Sequence, residues 1–288
     1  MIEPKNIEKL ISHIHKLWNI NKNVEITLEA NPNSLKAPEL KAAGINRLSL
    51  GIQALNDADL RFLGRIHNLS TALKAIDQTL KTFDNHSIDL IYARPNQKIN
   101  DWAQELEQAS SFGFKHLSLY QLTIEEGTPF YNQGIKPMAE TDAENLYKFT
   151  EKHLKTKGYN KYEISNFSQK GFESKHNLQY WEGGDYIGIG QGAHGRLNLQ
   201  AITHHRQFTT LAKEERAEEL LLMGLRLTKG INKKNFQTQC RLNFDAFVNQ
   251  NKKKQLEDLK LISDSKITIK ATKQGLLVLN KIIEELVV

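Results

Sequence analysis

Glu29, Gln53 and Asp89 lie at or near the ends of short alternating segments and share one side of each, so their side chains are expected to converge. A glutamine donates and accepts hydrogen bonds, whereas a carboxylate only accepts. Such a set suits a polar ligand rich in hydroxyl and amino groups. Arg65 adds a guanidinium, whose two-pronged donor geometry fits a carboxylate; its plainer reading is a surface arginine at a helix end. A second set is His176, Asn177, Tyr180 and Trp181. A neutral imidazole ligates metals and the two aromatic rings offer flat apolar faces. Equally, the rings can pack as core with the histidine hydrogen bonded. His67, His194 and Thr123 are weaker candidates, because a lone polar residue in a loop more often serves structure. Cys240 is the single thiol of the chain.

Four segments read as strands: residues 24–29, 47–53, 87–92 and 116–121. Helical patterns separate them, the βαβ rhythm of a parallel sheet. On one side alternate Val24, Ile26 and Leu28; Leu48, Leu50 and Ile52; Ile88 and Leu90; Leu117 and Leu119. On the other stand Thr27 and Glu29; Ser49, Gly51 and Gln53; Ser87 and Asp89; Ser118 and Tyr120. A parallel sheet buried on both sides is usually apolar throughout, so a persistently small and polar side predicts a barrel-like lumen holding a polar ligand. Helices are expected over 7–18, 35–43, 57–63, 70–83 (Ser70 as N-cap), 102–112 and 142–157, with glycines 44, 113 and 158 as stops. Residues 123–133 read as a long loop, and 158–194 as an aromatic, glycine-rich surface without helical periodicity. The tail reads as helices over 214–227, 233–239 and 244–261, a hairpin over 265–270 and a helix over 273–285, an order that resembles a winged helix.

The ordered motifs carry a family resemblance. Thr27-Leu-Glu-Ala-Asn-Pro32, Asn46-Arg-Leu-Ser-Leu-Gly-Ile-Gln53, Leu63-Gly-Arg-Ile-His67 and Ile88-Asp-Leu-Ile-Tyr92 resemble successive motifs of radical S-adenosylmethionine proteins. The subgroup is the oxygen-independent coproporphyrinogen III oxidases and the related HemW heme chaperones. Leu122-Thr-Ile-Glu-Glu-Gly-Thr-Pro-Phe130, Tyr162-Glu-Ile-Ser-Asn-Phe167, His176-Asn-Leu-Gln-Tyr-Trp181 and Gly188-Ile-Gly-Gln-Gly-Ala-His194 resemble the HemW branch. The resemblance implies an α/β fold: an incomplete radical S-adenosylmethionine (β/α) barrel over residues 1–121, a connecting and heme-motif region over 122–212, and a winged-helix-like α+β domain over 213–288. It also implies S-adenosylmethionine held by Glu29, Gln53, Arg65 and Asp89, and heme on His176, Asn177, Tyr180 and Trp181 with His176 as iron ligand.

Two departures stand out. The family's Cys-x3-Cys-x2-Cys loop and Gly-Gly-Gly-Thr-Pro loop have no counterpart, so the chain is expected to lack about two βα units and to carry an open barrel side suited to a partner that supplies strands. Ala93-Arg94 precedes Pro95 where the family shows Gly-Leu, which places the pocket's integrity in question.

At 288 residues, with 39% hydrophobic and 25% charged residues, the chain can bury a full core. No apolar run approaches the roughly 20 residues of a membrane span, and a cytoplasmic protein is expected. The net charge of +6 comes from scattered lysines, apart from Lys252-Lys-Lys254; nucleic acid is not expected, and heme-receiving apoproteins, some at a membrane surface, are. The alternatives are a coproporphyrinogen III oxidase and a winged-helix nucleic-acid binder. A four-iron cluster with one open iron needs three thiolates, so reconstitution of this chain with iron and sulfide is expected to leave no stable cluster spectrum. A stoichiometric cluster surviving Cys240→Ser contradicts that expectation.

Overall fold

The computed structural model describes residues 2–197 and 211–287, which fall into two compact units. One runs to Lys161 and includes Ser165–Glu173; the other comprises Tyr162–Ile164 and the described residues from Ser174 onward.

The first unit contains α1 (Pro4–Leu17), β1 (Thr27–Ala30), α2 (Ala37–Ala42), β2 (Arg47–Gln53), α3 (Asp57–Phe62) and α4 (Leu69–Thr82). It continues with β3 (Asn85–Tyr92), α5 (Ile99–Ser111), β4 (His116–Gln121), α6 (Pro129–Asn132), α7 (Glu140–Thr156), β5 (Asn160–Lys161) and β6 (Asn166–Ser168). The strands form one mixed sheet in the order β1-β2-β3-β4-β6-β5; β1 to β4 are parallel, and β6 runs antiparallel to β4 and β5. This is the expected α/β arrangement, with β1 and β5 at the edges. Leu50, Ile88, Leu90 and Leu117 pack in one core cluster with Trp102, Leu106 and Phe114. Burying each such side chain is worth about 1.5–3 kcal/mol. Trp102 stacks on Tyr92 at 5.2 Å and its indole N–H donates to Thr150 Oγ1 at 2.7 Å, so the ring's polar edge is satisfied inside the core.

Several expected boundaries move for identifiable reasons. The first strand starts at Thr27, not Val24, because the Asn46 side chain brackets the preceding backbone: its Oδ1 accepts from Ile26 N–H and its Nδ2 donates to Val24 O, both at 2.8 Å. The helix expected from residue 35 starts at Ala37 after a 3-10 turn at Pro32–Ser34; Pro38 is tolerated in a first helical turn, where its missing N–H has no partner to lose. Asn68, not Ser70, caps α4 by accepting from Thr71 N–H at 2.9 Å. Inside the expected loop, α6 forms with Thr128 as its cap.

The second unit contains α8 (Lys175–Trp181), α9 (Lys213–Gly224), β7 (Ile231–Asn232), α10 (Lys233–Cys240), α11 (Phe244–Phe247), α12 (Gln250–Asp258), β8 (Ile262–Asp264), β9 (Thr268–Ala271) and α13 (Leu279–Leu286). Its small sheet has the order β7-β9-β8 and is antiparallel. The expected single helix over 244–261 is two, because Val248 leaves helical conformation and Asn249 opens α12 by capping Lys252 N–H at 3.1 Å. The final helix begins as a 3-10 turn at Gly275–Val278. The lysine run lies within ion pairs: Lys252 meets Glu285 at 2.7 Å, and Lys253 meets Asp245 at 2.8 Å and Asp264 at 2.9 Å. Lys233 pairs with the same two aspartates, closing a ring of alternating charges.

Arg94 is neutralised within the first unit. Its Nη2 lies 2.5 Å from Glu105 Oε2 and 3.0 Å from Asp59 Oδ2, and Nη1 donates to Ile91 O at 2.9 Å. Glu105 Oε1 also accepts Leu55 N–H at 2.7 Å, so this pair ties the ends of β2 and β3 to α5. Ala93, in the place of the family's glycine, takes φ +57°, a left-handed conformation that glycine adopts more readily. Removing one partner of a buried pair strands the other charge, at about 3–5 kcal/mol. Arg94→Leu should therefore lose about that much in urea unfolding, and Arg94→Leu combined with Glu105→Gln should recover most of it. Equal losses in the single and double variants contradict the pairing.

Candidate functional site

The strand register assembles a polar face row by row. One row runs Glu29, Ser49, Ser87, His116 and Ser168; the next runs Gly51, Asp89, Ser118 and Asn166. Ser49, Ser87, His116 and Ser168 of the first row and Ser118 and Asn166 of the second are buried, Asp89 is half-buried, and Glu29 is exposed. Ser49 Oγ lies 3.0 Å from one Asp89 oxygen and 3.3 Å from the other, and Ser118 hydrogen-bonds the same carboxyl. Burial pushes the Asp89 pKa up to about 6; the two hydroxyls and Arg47 oppose the rise, and Glu29 adds to it.

Gln53 reaches this face by a route the alternation does not contain. A bulge lies between Gly51 and Gln53, so Gln53 stands opposite Leu90 and adopts φ +76°. A Cβ at Gly51 would lie 3.0 Å from Gln53 Nε2, so the missing side chain at Gly51 leaves the room that the folded-back amide occupies. Glu29 is exposed at the β1 end of the face. Arg65 is half-buried in the loop after α3, beside His67, with its backbone N–H on Leu60 O at 2.8 Å. His67 Nε2 lies 3.0 Å from Ile52 O, and burial lowers its pKa, with Arg65 acting in the same direction. Such a histidine braces the end of β2. Thr123 is exposed just beyond β4.

In the second unit the expected irregular surface contains α8, started by Ser174, whose Oγ accepts from Asn177 N–H at 3.3 Å. One turn apart on this helix, His176 and Tyr180 meet edge to face with ring centres 4.7 Å apart. Tyr180 meets Tyr186 in the same way at 4.5 Å. His176 is exposed, and the two tyrosines behind it are half-buried. Trp181 lines a cavity of about 270 Å³ with Leu220, Ile231 and Phe236, and the Arg226 guanidinium lies 5.8 Å from its ring. His194 is exposed on a hairpin closed by the Tyr186–Arg196 bridge, where Gly188 packs directly on the His194 backbone. Tyr186 carries no motif signal; its aromatic type near the helix end was the only cue.

Cys240 is buried on α10, where its thiol donates to Phe236 O at 3.1 Å and burial raises its pKa. Among the described residues no group of three or more His, Cys, Asp or Glu side chains is arranged to hold a metal ion. The residues present thus do not fit a four-iron cluster. By contrast the carboxyls of Glu29 and Asp89 and the amide of Gln53 offer acceptors and a donor suited to a ligand with hydroxyl and amino groups.

Comparison with known proteins agrees with this construction. Residues 3–109 match the Radical SAM superfamily, and residues 211–278 match the HemN C-terminal domain. The solved structure of coproporphyrinogen III oxidase (HemN) from Escherichia coli, described as a radical SAM enzyme, superposes with a TM-score of 0.75 at 18% identity, covering 98% of this chain and 74% of that one. These define a radical S-adenosylmethionine fold with a HemN-type tail. The heme chaperone HemW of Buchnera aphidicola subsp. Schizaphis graminum is 33% identical over 99% of this chain and 80% of its own length, and that of Bacillus subtilis 32% over 98% and 81%. The mouse radical S-adenosyl methionine domain-containing protein 1, mitochondrial, is 39% identical over 74% of this chain, which spans 56% of that protein. The chain belongs to the HemW heme chaperone family.

Asp89 yields a test of the polar face. A carboxyl raised from 3.8 to about 6 favours folding most below pH 3.8, and that contribution disappears as pH rises through 6. The difference, about two pKa steps, is worth about 3 kcal/mol. Asp89→Asn should therefore be more stable than the parent in urea at pH 8, with the advantage shrinking toward pH 4. An advantage that grows in acid contradicts the buried-carboxyl assignment.

Proposed function

We propose that this chain binds heme through His176 and delivers it to apoproteins. The observation that carries the reading is an exposed imidazole on α8 whose ring is held edge to face by Tyr180, itself held by Tyr186. Iron ligation is a common task of a neutral imidazole, and this one is oriented and exposed. Asn177 serves the first turn of the helix, and Trp181 braces α8 from its other side. The names of the HemW relatives support heme as the cargo.

On this reading the sheet face holds S-adenosylmethionine: Glu29, Gln53 and Asp89 take its hydroxyl and ammonium groups, and Arg65 takes the carboxylate. No radical step is assigned, because the described residues offer one buried thiol. The recipient proteins are heme-dependent and include some at the membrane surface, and the working compartment is the cytoplasm; no described helix is long and apolar enough to cross a membrane. The outer edge of β1, paired only with β2, accepts a further strand from a partner. The ion-paired Lys252 and Lys253 favour heme delivery over nucleic-acid binding, since phosphate contacts need available cations.

Heme titration tests the proposal. The full chain should shift the Soret band with saturable binding, Glu29→Ala should match it, and His176→Ala should weaken binding at least tenfold and lose the shift. Loss in His194→Ala with His176→Ala unaffected contradicts the ligand assignment.

A further inference from the structure

The arginines of the first unit are Arg47, Arg61, Arg65 and Arg94. A guanidinium stays charged in proteins, so a buried one calls for a counter-charge. Arg61 is exposed, and Arg94 has Glu105 and Asp59. Arg65 is half-buried and is the guanidinium proposed to take the S-adenosylmethionine carboxylate. Arg47, at the start of β2, is 3% exposed, and among the described residues its side chain makes no ion pair and no hydrogen bond. Its Nε is shielded from solvent as well as unpartnered. Residues 1, 198–210 and 288, the remainder of the chain, include no aspartate or glutamate.

Alternation along β2 places this side chain. Leu48 packs with Leu40 and Phe83 in an apolar cluster, so Arg47 shares the opposite, polar side with Ser49. Its register partner on β3 is Asn85, two residues before Ser87 and on the same side. Asn85 Oδ1 is also shielded from solvent and has no hydrogen-bond partner among the described residues. An orphan cation and an orphan acceptor therefore stand on neighbouring strands, about 4.8 Å apart. Direct contact between them would satisfy two atoms and leave the charge uncompensated. Asp89 feels Arg47 electrostatically, but its carboxyl is held by Ser118 and Ser49. His116 and His86 feel the same guanidinium, which disfavours their charged forms.

We propose that Arg47 and Asn85 bind a small oxyanion that keeps a hydroxyl, of the bicarbonate or hydrogen phosphate kind. Two oxygens of such an ion accept from the guanidinium, whose donors form a matching fork. Its O–H donates to Asn85 Oδ1. Formate and chloride lack that hydrogen, so they compensate Arg47 and leave the amide oxygen unpaired. The site lies at the strand starts. Gln53, at the other end of β2, is six residues away, roughly 20 Å along an extended strand. The anion site is thus separate from the proposed S-adenosylmethionine groups, and it stands whether or not the chain carries heme.

The test uses the full chain without heme or S-adenosylmethionine, at one neutral pH and one ionic strength, in sodium chloride, phosphate, bicarbonate or formate. In ¹⁵N-arginine-labelled protein the Arg47 Nε–H signal is assigned by its loss in Arg47→Met. It should move saturably with phosphate or bicarbonate, and formate should bind about tenfold more weakly, the worth of one hydrogen bond. The tighter of the two hydroxyl-bearing ions identifies the anion. An ion that binds only the folded state raises the thermal midpoint, so this ion should raise the midpoint of the parent more than that of Arg47→Met. If Arg47→Met does not fold, Arg47→Lys supplies the assignment and the titration decides alone. No saturation with phosphate or bicarbonate, equal affinity for formate, or equal midpoint gains in parent and Arg47→Met overturns the proposal.

Discussion

A buried sheet face made of polar side chains must satisfy those side chains from within, and much of the first unit follows from that constraint. An unpaired buried hydroxyl or amide costs about 1–3 kcal/mol, and a buried charge costs more. The register answers by placing Ser49, Ser87 and Ser118 beside Asp89 and His116. It leaves the carboxyl of Asp89 near its titration point under ordinary conditions. A carboxyl so balanced responds to whatever donor approaches it.

The second unit solves a different problem. The proposed heme ligation needs a ring held in a fixed direction, and a histidine on the surface of a seven-residue helix draws such constraints from its neighbours. The edge-to-face contacts from Tyr180 and Tyr186 supply them, each such contact worth about 0.5–1.5 kcal/mol. Trp181 secures the helix from its other side while Lys229 pairs with Glu182 beyond its end. One short helix thus carries a presented histidine and an anchoring tryptophan.

The strand pattern was legible in the sequence because period-two alternation survives burial: 47–53 and 116–121 coincide with β2 and β4. The Arg94 cluster was not, since its three partners come from separate elements and no local pattern joins residues 59, 94 and 105. The bulge that turns Gln53 back over Gly51 was hidden for a related reason, as alternation assumes an unbroken ladder. The 158–194 segment lacked helical periodicity because α8 is only two turns long and presents its histidine outward, so no apolar stripe marks it. Of the candidate site, residue types alone singled out Glu29, Asp89 and His176. The buried row of Ser49, Ser87 and His116 needed the register between strands, which no single segment encodes.

The proposed heme site is α8, and the polar sheet face is proposed to take another ligand. The most direct measurement is paramagnetic broadening of backbone amide signals when ferric heme is added to the full ¹⁵N-labelled chain. Broadening centred on His176 and Tyr180, with Ser49, Gly51 and Asp89 unaffected, is the predicted result. Broadening centred on the Ser49–Asp89 face, with the His176 amide sharp, would contradict it.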